Sequence, residues 1–326
     1  MKTIDVAALG EILIDFTYAD KNEQGAALFA QNPGGAPANV CVQVSRLNGK
    51  SAFAGKVGTD MHGDLLRETL KNEGISTKNM ISDPDTFTTL AFVSVTPEGE
   101  RKFSFARKPG ADTRITFEEL DKDEIKATKI FHIGSLSLTH EPARECTHKA
   151  IDLAKENGAL ISYDPNYRDS LWPNEEIAVE QMRTLISKAD LMKISDEETA
   201  LLTDLPDPEA AAKALVAQGV KMAVVTLGKD GSLAVNANGT ARAHGYSLKV
   251  ADTNGAGDSF WGAMLTQVSR LNKPLDDLSV EEMSAMLLNA NACAALTVTK
   301  HGAIPAMPSS DQVNAFLVEQ NEREAF

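Results

Sequence analysis

Between residues 129 and 226 the chain alternates short apolar runs with longer amphipathic ones, and this rhythm restricts its fold more than any other feature. The apolar runs fall at 130–134, 160–163, 191–194 and 223–226. Helical patterns separate them at 142–157, stopped by Gly158, then at 175–188, at 196–202, and in a segment ending at Gly219. Short runs this apolar predict strands buried on both faces, and a helix between each pair predicts parallel connections. The expected architecture is a mostly parallel sheet with helices on both sides. Sheets of this kind bind ligands at the carboxyl ends of their strands. The residues expected there are Asp164, Asn166 and Arg168 after one strand, Ser195 and Glu198 after the next, and Thr226 and Gly228 after another.

The first hundred residues depart from this rhythm. A buried strand is expected at 6–10, continuing extended through 12–16 with Asp15 among apolar neighbours. A carboxylate in such a run is costly unless it has a partner. Asn32-Pro33-Gly34-Gly35-Ala36-Pro37-Ala38-Asn39 then precedes a helix with Val40, Val44 and Leu47 on one face. The paired glycines let a ligand approach the backbone, with the Asn39 amide at hand. Equally, the stretch reads as a Gly-Pro loop with Asn39 as helix cap. A second helix ends at Gly74. Strand patterns then follow one another at 90–95 and 101–107 around a turn at 97–99, with Phe103, Phe105 and Arg107 sharing a face. Consecutive strands here predict a separate small sheet.

Late in the chain, Asp252-Thr253-Asn254-Gly255-Ala256-Gly257-Asp258 opens a helix. Nothing bulky covers the backbone N–H groups of Gly255, Ala256 and Gly257, so they can converge on an anion with the helix dipole behind them. Asp258 would repel a phosphate that was merely bound. It suits phosphoryl transfer, where the amides hold the moving charge and the carboxylate orients an attacking hydroxyl. The plain alternative is a turn with an acidic helix start.

Composition narrows the partners. With 326 residues, 43% hydrophobic and 24% charged, the chain suits one large α/β unit with a smaller appendage. A net charge of −14 argues against nucleic acid or an anionic membrane as partner. Cys41, Cys146 and Cys293 form neither a CxxC pair nor an even set, as expected of reduced cytosolic thiols. No apolar run reaches the ~18 residues of a membrane span, and a cytoplasmic location is expected. Asn238-Gly239-Thr240 matches a glycosylation sequon but reads better as a hairpin turn. A Walker loop fails because Val44 stands where its first glycine belongs, and a dinucleotide fingerprint fails at Phe260. His140-Glu141 lacks the second histidine of a zinc-protease helix, which is Arg144 here.

Taken in order, Gly34-Gly35-Ala36-Pro37-Ala38-Asn39 and Asp252-Thr253-Asn254-Gly255-Ala256-Gly257-Asp258 resemble the two signatures of the ribokinase-like carbohydrate kinases. Gly10-Glu11-Ile12-Leu13-Ile14-Asp15-Phe16, Phe103-Ser104-Phe105-Ala106-Arg107, Tyr163-Asp164-Pro165-Asn166-Tyr167-Arg168, Lys193-Ile194-Ser195-Asp196-Glu197-Glu198 and the stretch 296–305 are similar to the fructokinase branch. The resemblance spans residues 7–308. It implies a Rossmann-like three-layer α/β/α domain at 1–11, 32–86 and 108–326, with a β-sheet lid from 12–31 and 87–107.

It further implies ATP-dependent phosphorylation of the 6-hydroxyl of fructose. Another sugar (2-keto-3-deoxygluconate, ribose or a riboside) is the same-class alternative, and a non-catalytic sugar sensor the different-class one. By the same resemblance Asp258 is the base, Gly255, Ala256 and Gly257 the anion hole, and Arg168 a neutralising cation. Asp15, Gly34, Gly35, Asn39 and Arg107 match sugar contacts. Asn166, Lys193, Ser195, Thr226, Gly228, Gly231 and Asn291 match the nucleotide side. Glu198 matches a water-mediated Mg²⁺ contact, although Ser195 stands where the family carries asparagine and Ser195-x-x-Glu198 is also a capping box. Asp252, Asn254, Thr297, Lys300 and Gly302 match a site for K⁺, weakened by Ala306 in place of serine. A homodimer completes the expected partners.

Overall fold

The computed structural model describes residues 2–95 and 101–324. The turn expected at 97–99 and the side chain of Phe103 lie outside the described residues. In chain order the strands are β1 (Ile4–Leu9), β2 (Leu13–Lys21), β3 (Ala27–Gly34), β4 (Ser51–Gly58), β5 (Ser76–Asp83), β6 (Leu90–Val95) and β7 (Arg101–Ala106). They continue with β8 (Thr128–Ile133), β9 (Leu160–Tyr163), β10 (Leu191–Ser195), β11 (Met222–Thr226), β12 (Ser232–Asn236) and β13 (Gly239–Ala243).

The large sheet has nine strands in the order β13-β12-β11-β10-β9-β8-β1-β4-β5. It is parallel from β11 to β5 and antiparallel only where the β12–β13 hairpin closes one edge. Successive residues of a strand point to opposite faces, and both faces here are apolar. On β8, Phe131 and Ile133 join one core while Ile130 joins the other. On β11, Ala223 and Val225 face the first core, Met222 and Val224 the second. Burying each large side chain of this kind contributes about 1.5–3 kcal/mol. This two-sided burial is what turns the alternation between residues 129 and 226 into three layers. No helix among the described residues is long and apolar enough to cross a membrane.

β1 has β4 on one side and β8 on the other, so the strand order reverses there. Such a switch point opens a crevice at the strand's carboxyl end. Glu11 follows β1, Asp164 follows β9, and Ser195 ends β10.

The small sheet has four strands in the order β3-β2-β6-β7. β3 keeps pairing with β2 up to Leu13↔Gly34, beyond the boundary expected at residue 31, and sets Asp15 opposite Asn32. The helix expected near Asn39 begins earlier, at Ala36–Arg46, with Gly35 as its cap at φ 114°. Asn39 therefore lies inside the first turn and does not cap it. A Cβ at Gly35 would stand 2.6 Å from the Glu11 carbonyl oxygen, so only glycine lets the chain turn there against the end of β1. The helix expected at 175–188 breaks into Glu175–Arg183 and a short 3₁₀ turn at Ile186–Lys188.

Candidate active site

Asp258 lies in the first turn of the helix Ala256–Ser269, whose core side chains Phe260, Trp261, Met264 and Leu265 are packed inside the protein while Ala256 and Gly257 stay partly exposed. Gly255 precedes it in the left-handed conformation, φ 77°, and a Cβ there would come within 2.8 Å of Ala303. The Ala256 N–H makes only a long 3.4 Å contact to the Thr253 carbonyl. Asp258 is 8% exposed, and Asn39 Nδ2 donates to its Oδ2 at 2.7 Å. Burial pushes its pKa up to about 6, against the Asn39 hydrogen bond; Asp164 pushes the same way, while Lys193 and Arg168 pull down.

Asp15 is buried nearby and accepts from Asn254 Nδ2 at 3.2 Å. Its pKa also rises to about 6, chiefly through burial. One small cavity of about 50 Å³ brings together Asp15, Gly35, Asn39, Arg168 and Asp258. Asn166, expected on the nucleotide side, and Asn254, expected beside a cation, line the same cavity. So do Glu11, Phe105 and Leu136, which had no assigned role. Glu11 carried a usable signal, since it interrupts the same apolar stretch as Asp15. Leu136 carried none. Gly34 sits just behind, where a Cβ would meet Asp15 Oδ2 at 2.6 Å.

Beneath the anion loop, Lys193 Nζ pairs with Asp164 at 2.7 Å, with both side chains buried. Burial lowers the lysine pKa, but Asp164 and Glu198 outweigh it and raise the value overall, so the ammonium stays charged. The position a Cβ would take on Gly257 is 3.1 Å from this nitrogen, so the cation lies directly against the loop. Thr226 and Gly228 follow at the end of β11, where the side of Gly228 that a Cβ would occupy is open. Gly231 instead makes a tight turn against the Ala243 carbonyl.

Several expected ligands are engaged inside the protein. Asn291 accepts from Ser232 Oγ at 3.0 Å and donates to the His244 carbonyl at 2.8 Å, so its amide ties down the β12–β13 hairpin. Glu198 Oε2 accepts from Ser195 N and Oγ at 2.8 and 3.0 Å, and Oε1 from Tyr167 N at 2.8 Å. Its carboxylate clamps the end of β10 to the loop carrying Asn166 and Arg168, and with these donors engaged it fits a Mg²⁺ contact made through water rather than a direct ligand. Among the described residues no group of three or more His, Cys, Asp or Glu side chains is placed to hold a metal. Asp252 accepts from Asn254 N at 2.8 Å and Gly302 N at 3.0 Å, and Thr297 Oγ1 bonds Ser259 Oγ and the Cys293 carbonyl. The Asp252 carboxylate thus braces the loop before Gly255, Asn254 reaches Asp15, and Lys300 is exposed.

Arg107 lines a different cavity, of about 460 Å³, which shares Phe105 with the one around Asp15 and Asp258. Its guanidinium holds Asp112 at 2.6 Å, Thr139 Oγ1 at 2.8 Å and the Leu136 carbonyl at 3.0 Å, and it does not line the cavity around Asp15 and Asp258.

The paired carboxylates set a pH dependence. With Asp258 in the expected role of base and Asp15 in that of a hydroxyl acceptor, both must be ionised to act, and both carboxyls have folded pKa values raised to about 6. The kcat/KM profile is therefore expected to fall on the acid side below about pH 6, more steeply than a single ionisation allows. An acid limb near pH 4 would show that neither burial shift operates in the free enzyme.

The chain as a whole is similar to known proteins. Residues 3–310 match the model for the pfkB family of carbohydrate kinases. Probable fructokinase-4 of Arabidopsis thaliana is 42% identical over 320 residues, covering 96% of each chain. A fructokinase from Xylella fastidiosa, solved with bound ATP, superposes with TM-score 0.90 at 32% identity over 98% of this chain and 100% of that one. A Vibrio cholerae fructokinase, solved with fructose, ADP and calcium, gives TM-score 0.85 at 32% identity over 96% and 98% of the two chains. A family match over nearly the whole length, on a fold with Asp258 at a glycine-opened helix start, places this chain in the pfkB family of carbohydrate kinases.

Proposed function

We propose that this protein transfers the γ-phosphoryl group of ATP to the 6-hydroxyl of D-fructose, giving fructose 6-phosphate. The observation that carries this reading is the 2.7 Å bond from Asn39 to Asp258, which joins the acceptor cavity to the anion loop at one carboxylate. Asp15 and Asn39 take sugar hydroxyls, and the Asn39 Oδ1, buried without a hydrogen-bond partner among the described residues, is free to accept one. Asp258 orients the 6-hydroxyl. In a loose transition state the attacking oxygen forms little bond early, so the carboxylate accepts the proton late and need not deprotonate an alcohol beforehand. The N–H groups around Gly255 to Gly257, the helix dipole and Arg168 stabilise charge on the transferring phosphoryl group. The nucleotide lies along the strand ends at Lys193, Thr226 and Gly228 and carries its magnesium with it. The fructokinase names of relatives at this identity favour fructose as the acceptor.

Measuring kcat/KM with ATP over fructose, ribose, ribosides and 2-keto-3-deoxygluconate tests the assignment. Fructose is expected to lead. A different leading sugar would replace fructose, and no ADP formation with any sugar would leave a sugar sensor.

A further inference from the structure

The helix Ala36–Arg46 carries the asparagine that holds Asp258, yet its start has little support of its own. Its cap, Gly35, has no side chain to offer the first N–H groups, and no acidic residue lies in its first turn. The missing acceptor comes from another element. Glu11, at the carboxyl end of β1, accepts the Ala36 N–H on Oε1 at 3.0 Å. It thus caps the helix from outside, adding a negative charge at the positive end of the dipole. Asn39 lies in the same first turn and reaches Asp258 at 2.7 Å, so the seating of this turn sets the direction of the base.

The other carboxyl oxygen has a different environment. Glu11 is 4% exposed and lines the cavity with Asp15, Asn39 and Asp258, and its Oε2 is buried without a hydrogen-bond partner among the described residues. A buried acceptor left unpaired costs about 1–3 kcal/mol, which a hydroxyl brought by a ligand would recover. Burial lifts the Glu11 pKa to about 7 against its own backbone N–H; Asp112 pushes it further up, and Arg107 and the Ala36 N–H pull it down.

We propose that Glu11 is a sugar-binding and positioning residue, with Oε1 seating the helix that holds Asp258 through Asn39 and Oε2 accepting a hydroxyl of the sugar. One side chain then registers the acceptor against the base. This rests on the cavity being the acceptor site of a sugar kinase.

Glu11→Gln separates the two duties, because the amide keeps an oxygen for the Ala36 N–H but turns the second position into a donor. Sugar affinity without nucleotide, measured by calorimetry, is expected to weaken about tenfold or more. The ATP KM is expected to stay within about twofold of wild type, with the melting temperature little changed. Glu11→Ala removes both contacts and is expected to lower kcat as well, since the Asn39 turn is released. Unchanged sugar affinity in Glu11→Gln would overturn the proposal, as would a parallel loss of sugar and ATP affinity or a failure of that variant to fold. The wild-type sugar panel is judged separately. If fructose is not the acceptor, that assignment fails alone, and the Glu11 comparison is made with the sugar the wild type binds best.

Discussion

Asp258→Asn is expected to lower kcat by roughly 10²-fold or more at saturating sugar and ATP. The substitution is nearly isosteric and leaves an oxygen that can still accept from Asn39 Nδ2, now at 2.7 Å from the carboxylate. What it removes is the group proposed to receive the proton. Removing that charge also takes away a repulsion on the phosphates beside Gly255 to Gly257, so ATP binding is expected to hold or tighten. Steady-state kinetics with a direct measurement of nucleotide affinity separate these effects. Near-normal kcat would take Asp258 out of the mechanism, and lost ATP affinity would show that its role is to brace the loop.

Arg107→Ala is expected to cost about 3–5 kcal/mol of stability, because it leaves Asp112 buried without its countercharge. The side chains of Arg107 and Asp112 are 2% and 3% exposed, so solvent screens this pair little. Thr89 Oγ1 donates to the other Asp112 oxygen at 2.5 Å and would remain, which satisfies geometry but not charge. Adding Asp112→Asn to Arg107→Ala should therefore restore part of the loss, as a double-mutant cycle of thermal melts would show. Arg107 directly follows β7, and its partners belong to the large unit, so it fastens the end of the small sheet. Any rise in sugar KM is expected to follow from that loosening. A variant with wild-type melting temperature and a sharply raised sugar KM would instead put the guanidinium on the sugar.

The contrast between Arg107 and Asp15 shows where the sequence is informative. Both stood out as charges among apolar residues, and burial demands a partner for each. Asp15 finds Asn254, and the pair stays at the cavity wall. Arg107 finds Asp112, five residues on, and lines a separate cavity. Nothing in the local pattern distinguishes a charge awaiting a ligand from one already neutralised. Glu198 makes the same point, because its capping box was visible in the spacing to Ser195 while its third donor, Tyr167 N, came from another strand end. Asn291 was beyond reach, since its partners are backbone carbonyls and a serine more than forty positions away.

By itself the sequence determined the layers and the place of the crevice. Strand and helix periods are local, and runs such as 130–134 and 223–226 can bury both faces only inside a helix-covered parallel sheet. It also determined the glycine-opened helix start ahead of Asp258, because the backbone freedom of Gly255 is a property of the residue itself. Tertiary structure alone decided which polar atoms of the site are already satisfied and which are not. That depends on hydrogen bonds between distant segments, such as Asn39 with Asp258, Asn254 with Asp15 and Glu11 with Ala36. Such bonds tolerate only a few tenths of an ångström in distance and need near-linear geometry, and only the packed sheet brings their partners within these limits.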